Sequence, residues 1–412
     1  MEKLKYILSN NNLLIYFFAC ILIFSKVIFS FNQGYTAPDS EWFFKIAEKI
    51  YLNKSLFYSG ILNMPGYDVE PYYENIRFVA NWPPLYPICI VLIKSISGLS
   101  FFWSSKIINI ICSFVIIYFI NKKFNNNILT IFVISNATII EVSCFSLTEY
   151  LFITLLFLSH ENFYSYIKNK KFVNLILFFI ISNLVFFTRY NGIYIQLVFL
   201  IYLSFLLIQK RKIDLHHFLV FVSIVISIFI SLFYFSLLLK FTGHITGIER
   251  GARDVIWPEF IYIIKSLVVE LNYVISDPFN SLKIPRDAIL LEISVVIILL
   301  LCQFIPLLNL RNKIKFRLAK TGIEYDYFGL YFCSIIIYFL SINYVIIFSL
   351  VDHLYYRSMS PITIMSLILI SNLVFCINEK NIKEKIDKYI LYLITLSILI
   401  NVFMPIGIYL IL

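Results

Sequence analysis

The apolar positions of this chain run in unbroken blocks of roughly 17 to 25 residues, about the length an α-helix needs to cross a bilayer core. Transmembrane barrel strands would instead alternate over about ten residues, and "ILLEISVVIILLLCQFI" does not alternate. The pattern predicts spans at residues 12–31, 105–121, 128–142, 145–166, 172–188, 193–209, 216–240, 288–310, 327–351, 357–376 and 389–410. One further block, "PPLYPICIVLIKSISG", is short, opens on Pro83 and Pro84, and carries Pro87 and Lys94, which predicts a helix over 84–98 that enters the membrane without crossing it. The expected fold is all-α: a polytopic membrane protein with about 11 transmembrane helices, a re-entrant or short helix, and juxtamembrane helices on the outer face.

Composition strengthens this picture. Of the 412 residues, 60% are hydrophobic and 14% charged, which excludes an ordinary water-soluble globule. A net charge of +10 would suit nucleic acid, but the basic residues sit in short connections, where they act as topology signals. With the N-terminus inside, nineteen Lys and Arg fall in the inner segments and eleven in the outer ones, which are more than twice as long. Residues 1–412 then form one transmembrane domain with two long outer loops, 32–83 and 241–287. The basic start and the apolar run Leu13 to Phe31 lack a small-residue cleavage site, as in an uncleaved signal anchor. Seven cysteines show neither CxxC pairs nor metal-ligand spacing, so neither a disulfide framework nor a zinc site is indicated.

The residues with chemical potential gather on the outer face. In "APDSEWFFKIAEKI", Trp42, Phe43, Ile46, Ala47 and Ile50 share one face of a helix lying on the membrane, and Glu41, Lys45, Glu48 and Lys49 the other. Asp39 stands where an N-cap would and Glu41 in the first turn, so helix capping competes with catalysis as the reason for both acids. Glu149 in "SLTEYLF" heads a span and is expected to point into a polar cavity, whereas Glu141 reads as a solvated corner residue. Arg189 with Tyr190 in "TRYNG", and Arg357 with Tyr356 in "YYRSMSP", either snorkel to headgroups or bind an anionic group through their guanidinium forks. His353 follows Asp352, without a GxSxG serine motif. No P-loop or GxGxxG is present, so direct use of nucleotides has no support.

The order of these motifs resembles the multi-span GT-C glycosyltransferases, in the branch of protein O-mannosyltransferases and aminoarabinose lipid A transferases. The features concerned are an acid opening the first outer loop, "PPLYP" entering the membrane, the acid of "SLTEYLFITLLFL", the "TRYNG" corner and "YYRSMSP". The resemblance implies an enzyme, a glycosyltransferase taking a hexose or pentose from a polyprenyl-phosphate donor to a glycan, lipid or protein acceptor on the non-cytoplasmic face of a bacterial plasma membrane. It implies Asp39 or Glu41 as general base, Glu149 as second acid, and Arg189 and Arg357, with Tyr190, Tyr356 and His353, around the donor. Ser40 separates Asp39 from Glu41 where many relatives have adjacent acids, which leaves the base open between them. Membrane lipids are expected partners and nucleic acid is not. A divalent cation at Asp39 and Glu41 is the one cofactor left open, on a thin ligand set. The alternatives are a flippase or transporter of lipid-linked glycans, which would need polar residues near the bilayer midplane, and a polysaccharide polymerase.

Overall fold

The computed structural model describes residues 12–28, 36–54, 57–58, 77–78, 82–210, 214–242, 245, 272–274, 301, 303, 325–348, 356–377 and 380–403. They are almost entirely helical. The order is α1 (Asn12–Ile28), α2 (Pro38–Asn53), α3 (Leu85–Ser97), α4 (Phe101–Phe124), α5 (Asn127–Ile134), α6 (Ala137–Cys144), α7 (Thr148–Asn169) and α8 (Phe172–Thr188). A 3₁₀ turn (Tyr190–Ile193) leads into α9 (Tyr194–Lys210), followed by α10 (Leu215–Thr242), α11 (Tyr325–Phe348), α12 (Tyr356–Phe375) and α13 (Lys380–Ile398). Residues Phe57–Tyr58 and Arg77–Phe78 form a minimal antiparallel pair.

Among the described residues, five helices are long and apolar enough to cross a bilayer: Phe101–Phe124, Tyr190–Gln209, Leu215–Phe241, Asp326–Tyr344 and Ser358–Phe375. The bent pair α5 and α6 would make six. The other expected spans correspond to the shorter helices Leu13–Ile28 and Phe172–Thr188, to α7 with its Glu149, His160 and Glu161, and to α13. The expected span 288–310 lies, apart from Leu301 and Gln303, outside the described residues, as does most of the 32–83 and 241–287 loops.

Local chemistry explains most boundaries. The Ser100 side chain accepts from the Trp103 N–H, and Asn126 from the Ile128 and Leu129 N–H groups, so α4 and α5 begin on polar caps. Gly98 ends α3 at φ 72°, a left-handed value that glycine adopts without strain. Of the prolines of "PPLYP", Pro83 precedes α3, Pro84 is its cap and Pro87 lies in its first turn, where no intrahelical donor is lost. Its 13 residues extend about 20 Å at 1.5 Å each, too short for a core of about 30 Å.

Two local expectations are corrected. The N-cap of α2 is Ala37, with Pro38 first in the helix, and the Ser40 side chain accepts from the Ala37 N–H at 3.0 Å. Asp39 is therefore a first-turn residue and not the N-cap. The apolar face of α2 does contain Trp42, Phe43, Ile46, Ala47 and Ile50, but it is buried against α3 and Trp82 rather than left for lipid. Phe43 packs edge-on against Trp82 and Tyr86, at centroid distances of 5.3 and 5.2 Å.

The span expected over 128–142 is broken. Helices α5 and α6 meet at 64° around Ser135 and Asn136, although the stretch contains no Pro or Gly. Asn136 caps α6, accepting from the Ile139 N–H. Backbone freed by the break is satisfied from far along the chain. Tyr273 donates its hydroxyl to the Phe132 carbonyl at 2.6 Å and stacks on the Phe132 ring, while its own carbonyl accepts the Ala137 N–H at 3.0 Å. The Ser397 hydroxyl donates to the Ser135 carbonyl, and Asn401 holds the Val274 carbonyl, both at 2.6 Å. Non-helical backbone survives at such depth only when its polar groups are met in this way. Tyr273→Phe keeps the ring and removes the hydroxyl, and it is expected to cost about 1–3 kcal/mol in detergent unfolding, because the Phe132 carbonyl is left short of a donor.

Helix α7 lies at the centre, packed by α4, α8, α11, α12 and α6. At the end of α7 where Lys168 and Lys170 lie, Lys170 Nζ donates to Asp214 at 2.8 Å, and together with the His217 N–H it holds that carboxyl well below the usual range.

Candidate functional site

Two of the side chains predicted to carry chemistry, Glu149 and Arg189, meet where α8 finishes and α7 begins. Glu149 is the second residue of α7, with its carboxylate almost wholly buried, 2% exposed. The unpaired N–H groups and dipole of a helix start favour negative charge there. Arg189, the residue that ends α8, donates from Nη1 to Glu149 Oε1 at 2.6 Å. Its side chain remains 24% exposed and lies over the Phe152 ring, with its Cζ 5.9 Å from the centroid. Two residues expected on one face are thus brought into one ion pair.

The corner that carries Arg189 is tightly built. The Gly192 N–H donates to the Arg189 carbonyl at 2.7 Å, closing the 3₁₀ turn. A Cβ on Gly192 would stand 2.6 Å from the Val185 carbonyl oxygen, which belongs to the helix backbone and has no room to yield. Gly192→Ala is therefore expected to displace this corner and to lower stability by about 1–3 kcal/mol, read from the unfolding midpoint of the detergent-solubilised protein.

Tyr190 sits in the same turn, its ring against Phe186, Tyr234 and Phe235. Next along the chain, Tyr194 packs on Tyr338 of α11 with ring centroids 4.7 Å apart. Tyr338 donates to the Ser358 carbonyl at 2.7 Å and lies within electrostatic reach of both Arg189 and Glu149. This contact brings the start of α12 to the ion pair. Tyr356 and Arg357 are its first two residues; their side chains, and all of His353, lie outside the described residues.

The α2 acids divide. Asp39 is one turn before Phe43 and partly buried, on the face turned towards Tyr86. Tyr86 in turn lies within electrostatic reach of Glu149. Glu41 is exposed on the opposite side of α2. The two carboxylates that sequence left equivalent therefore face different surroundings.

Glu141 corrects the expectation of a solvated corner. It is buried and paired with Lys26 of α1, Nζ to Oε2 2.5 Å, with side-chain exposures of 5% for the lysine and 7% for the glutamate. Lys106 of α4 is buried nearby and donates to the Cys144 carbonyl at 2.6 Å. Neither lysine was among the expected site residues, although a lysine inside an apolar block is itself a sign of polar surroundings. Among the described residues no group of three or more His, Cys, Asp or Glu side chains is placed to hold a metal ion.

Helix lengths, composition and buried ion pairs define the class: a helical membrane protein with a polar cluster at one end of its bundle. No family model matches the chain, and no curated protein matches it either.

Proposed function

We propose that the chain is an integral membrane glycosyltransferase of GT-C type, moving a sugar from a polyprenyl-phosphate donor to a glycan, lipid or protein acceptor on the outer face of a bacterial plasma membrane. The observation that carries this reading is the Glu149–Arg189 pair, its carboxylate buried and its guanidinium partly exposed, with Asp39 on the side of α2 that carries Phe43, whose ring meets Tyr86. On this reading the membrane is crossed eleven times.

The chemistry assigns each group a task. Asp39 accepts the proton of the acceptor hydroxyl as its oxygen bonds to the anomeric carbon. The bond from that carbon to the phosphate oxygen breaks, and the electron pair leaves with the polyprenyl phosphate. Arg189 has spent one donor on Glu149 and keeps others in its planar fork, which suits developing charge on phosphate oxygens. Glu149 fixes the orientation of Arg189, and Arg357 supplies a second guanidinium from the start of α12. The glycosyltransferase resemblance assigns Tyr190, Tyr356 and His353 to the donor side. One base and one displacement invert the anomeric centre.

The bent pair α5 and α6 favours a second reading, because broken spans line substrate paths in transporters. Here the break is filled by Tyr273 and Val274, which weakens that reading. The two separate in liposomes loaded with a polyprenyl-phosphate hexose and a hydroxyl acceptor. A transferase consumes donor and releases polyprenyl phosphate only when acceptor is present, whereas movement of intact donor between leaflets would overturn the proposal.

A further inference from the structure

We infer that one face of α4, bearing Ser105, Lys106, Asn109 and Ser113, is the device that positions Glu149 and, through it, Arg189. As a role in catalysis this rests on the glycosyltransferase reading; as a statement about how the ion pair is held it does not.

Between α6 and α7 the chain turns a buried corner. Phe145, Ser146 and Leu147 are non-helical yet buried, so their polar groups must find partners inside the protein. The cap position of α7 is Leu147, whose side chain accepts nothing, so the start of that helix is not fixed by its own sequence. Helix α4 supplies the missing partners. The Asn109 amide nitrogen donates to the Ser143 carbonyl at 2.8 Å and to the Phe145 carbonyl at 2.7 Å, tying the end of α6 to the first residue beyond it. Lys106 Nζ takes the carbonyl between them, that of Cys144, at 2.6 Å. Ser105 meets the Ser146 hydroxyl at 2.8 Å, and Ser113 meets the Tyr150 hydroxyl at 2.9 Å, one residue past Glu149.

These four side chains recur at helical spacing along one face of α4, and their partners run from Ser143 to Tyr150. Three consecutive carbonyls are gripped by two side chains. Glu149 lies inside the gripped stretch and takes its depth and rotation from it. Ser105 and Ser113 also donate to carbonyls of their own helix, at 2.6 and 3.1 Å, and each of the four has a partner in the corner or the first turn of α7, through which it acts on the ion pair. We class them as positioning residues.

The test uses purified full-length protein and a readout independent of substrate. The Glu149 carboxylate stretch is identified as the infrared band lost in Glu149→Gln, and is then followed in Asn109→Leu and in Ser105→Ala, the latter removing a hydroxyl with almost no change of volume. Positioning predicts a shifted or broadened band, and a fall in melting midpoint from Asn109→Leu that is smaller when Glu149→Gln is already present. An unmoved band in both variants, with additive midpoints, overturns the proposal. If Asn109→Leu does not fold, the Ser105→Ala band alone decides in the same two ways. In the transfer assay, the variants are expected to lower kcat by up to about 10²-fold with KM little changed, as for a misplaced catalytic constellation. A wild-type protein that transfers no sugar refutes the enzyme reading, and the infrared result still decides the positioning.

Discussion

Lys26→Met is expected to be the most destabilising single substitution proposed for this protein, lowering unfolding free energy by about 3–5 kcal/mol. Lys26 and Glu141 are both buried and 2.5 Å apart, and removing the ammonium leaves a carboxylate with its desolvation penalty unrelieved. The sign reverses when both partners go. A Lys26→Met and Glu141→Gln double variant removes both charges, and it is expected to recover most of the loss, because burying two ions costs nearly what their attraction returns. Denaturant titration of the four combinations in mixed micelles gives the coupling directly. A loss under about 1 kcal/mol for Lys26→Met would mean that water reaches the pair, as at exposed ion pairs.

The second large effect is on activity. Asp39→Asn is expected to reduce kcat/KM for sugar transfer by about 10²- to 10⁴-fold, the usual contribution of a general base. Glu41→Gln is expected to leave the rate near wild type. The contrast follows from rotation about α2: Asp39 shares the side that carries Phe43 and is partly buried, and Glu41 is exposed on the other. The amide that replaces the Asp39 carboxylate preserves size and polarity while losing the basic oxygen, so protein abundance should be unaffected. Equal losses from both variants, or a loss from Glu41→Gln alone, would remove Asp39 from the role of base.

How much of this was legible in the sequence depended on distance along the chain. The apolar block 172–188 gave α8 its bounds, Phe172–Thr188, because a run of apolar residues between polar ends needs no tertiary information. The apolar face of α2 was also legible, since a 3.6-residue period is local. Its cap lies at Ala37 and not at Asp39, and Pro at the first helical residue is the local signal for a start at Pro38. The break at Ser135 could not be read from helix breakers, because none is there; Asn136 is the one local sign, and the partner that makes the break tolerable is Tyr273. Glu141 was illegible for the same reason. Its environment is set by Lys26, 115 residues earlier, and nothing in the neighbourhood of either residue announces the other. Glu149 stands out as an acid at the head of an apolar helix, but its pairing with Arg189, 40 residues on, needed the fold.

The clasp of Tyr273 on the α5–α6 break also sets a timetable for the growing chain. Ser135 and its neighbours enter the membrane long before Tyr273, 138 residues later, has been made. At a synthesis rate of about 5–20 residues per second, that interval is roughly 7–28 s. Throughout it the bare carbonyls and N–H groups of the bend must be met by water, by lipid headgroups or by the insertion machinery itself. The bend between α5 and α6 thus completes its hydrogen bonding only after Tyr273 and Ser397 have been made.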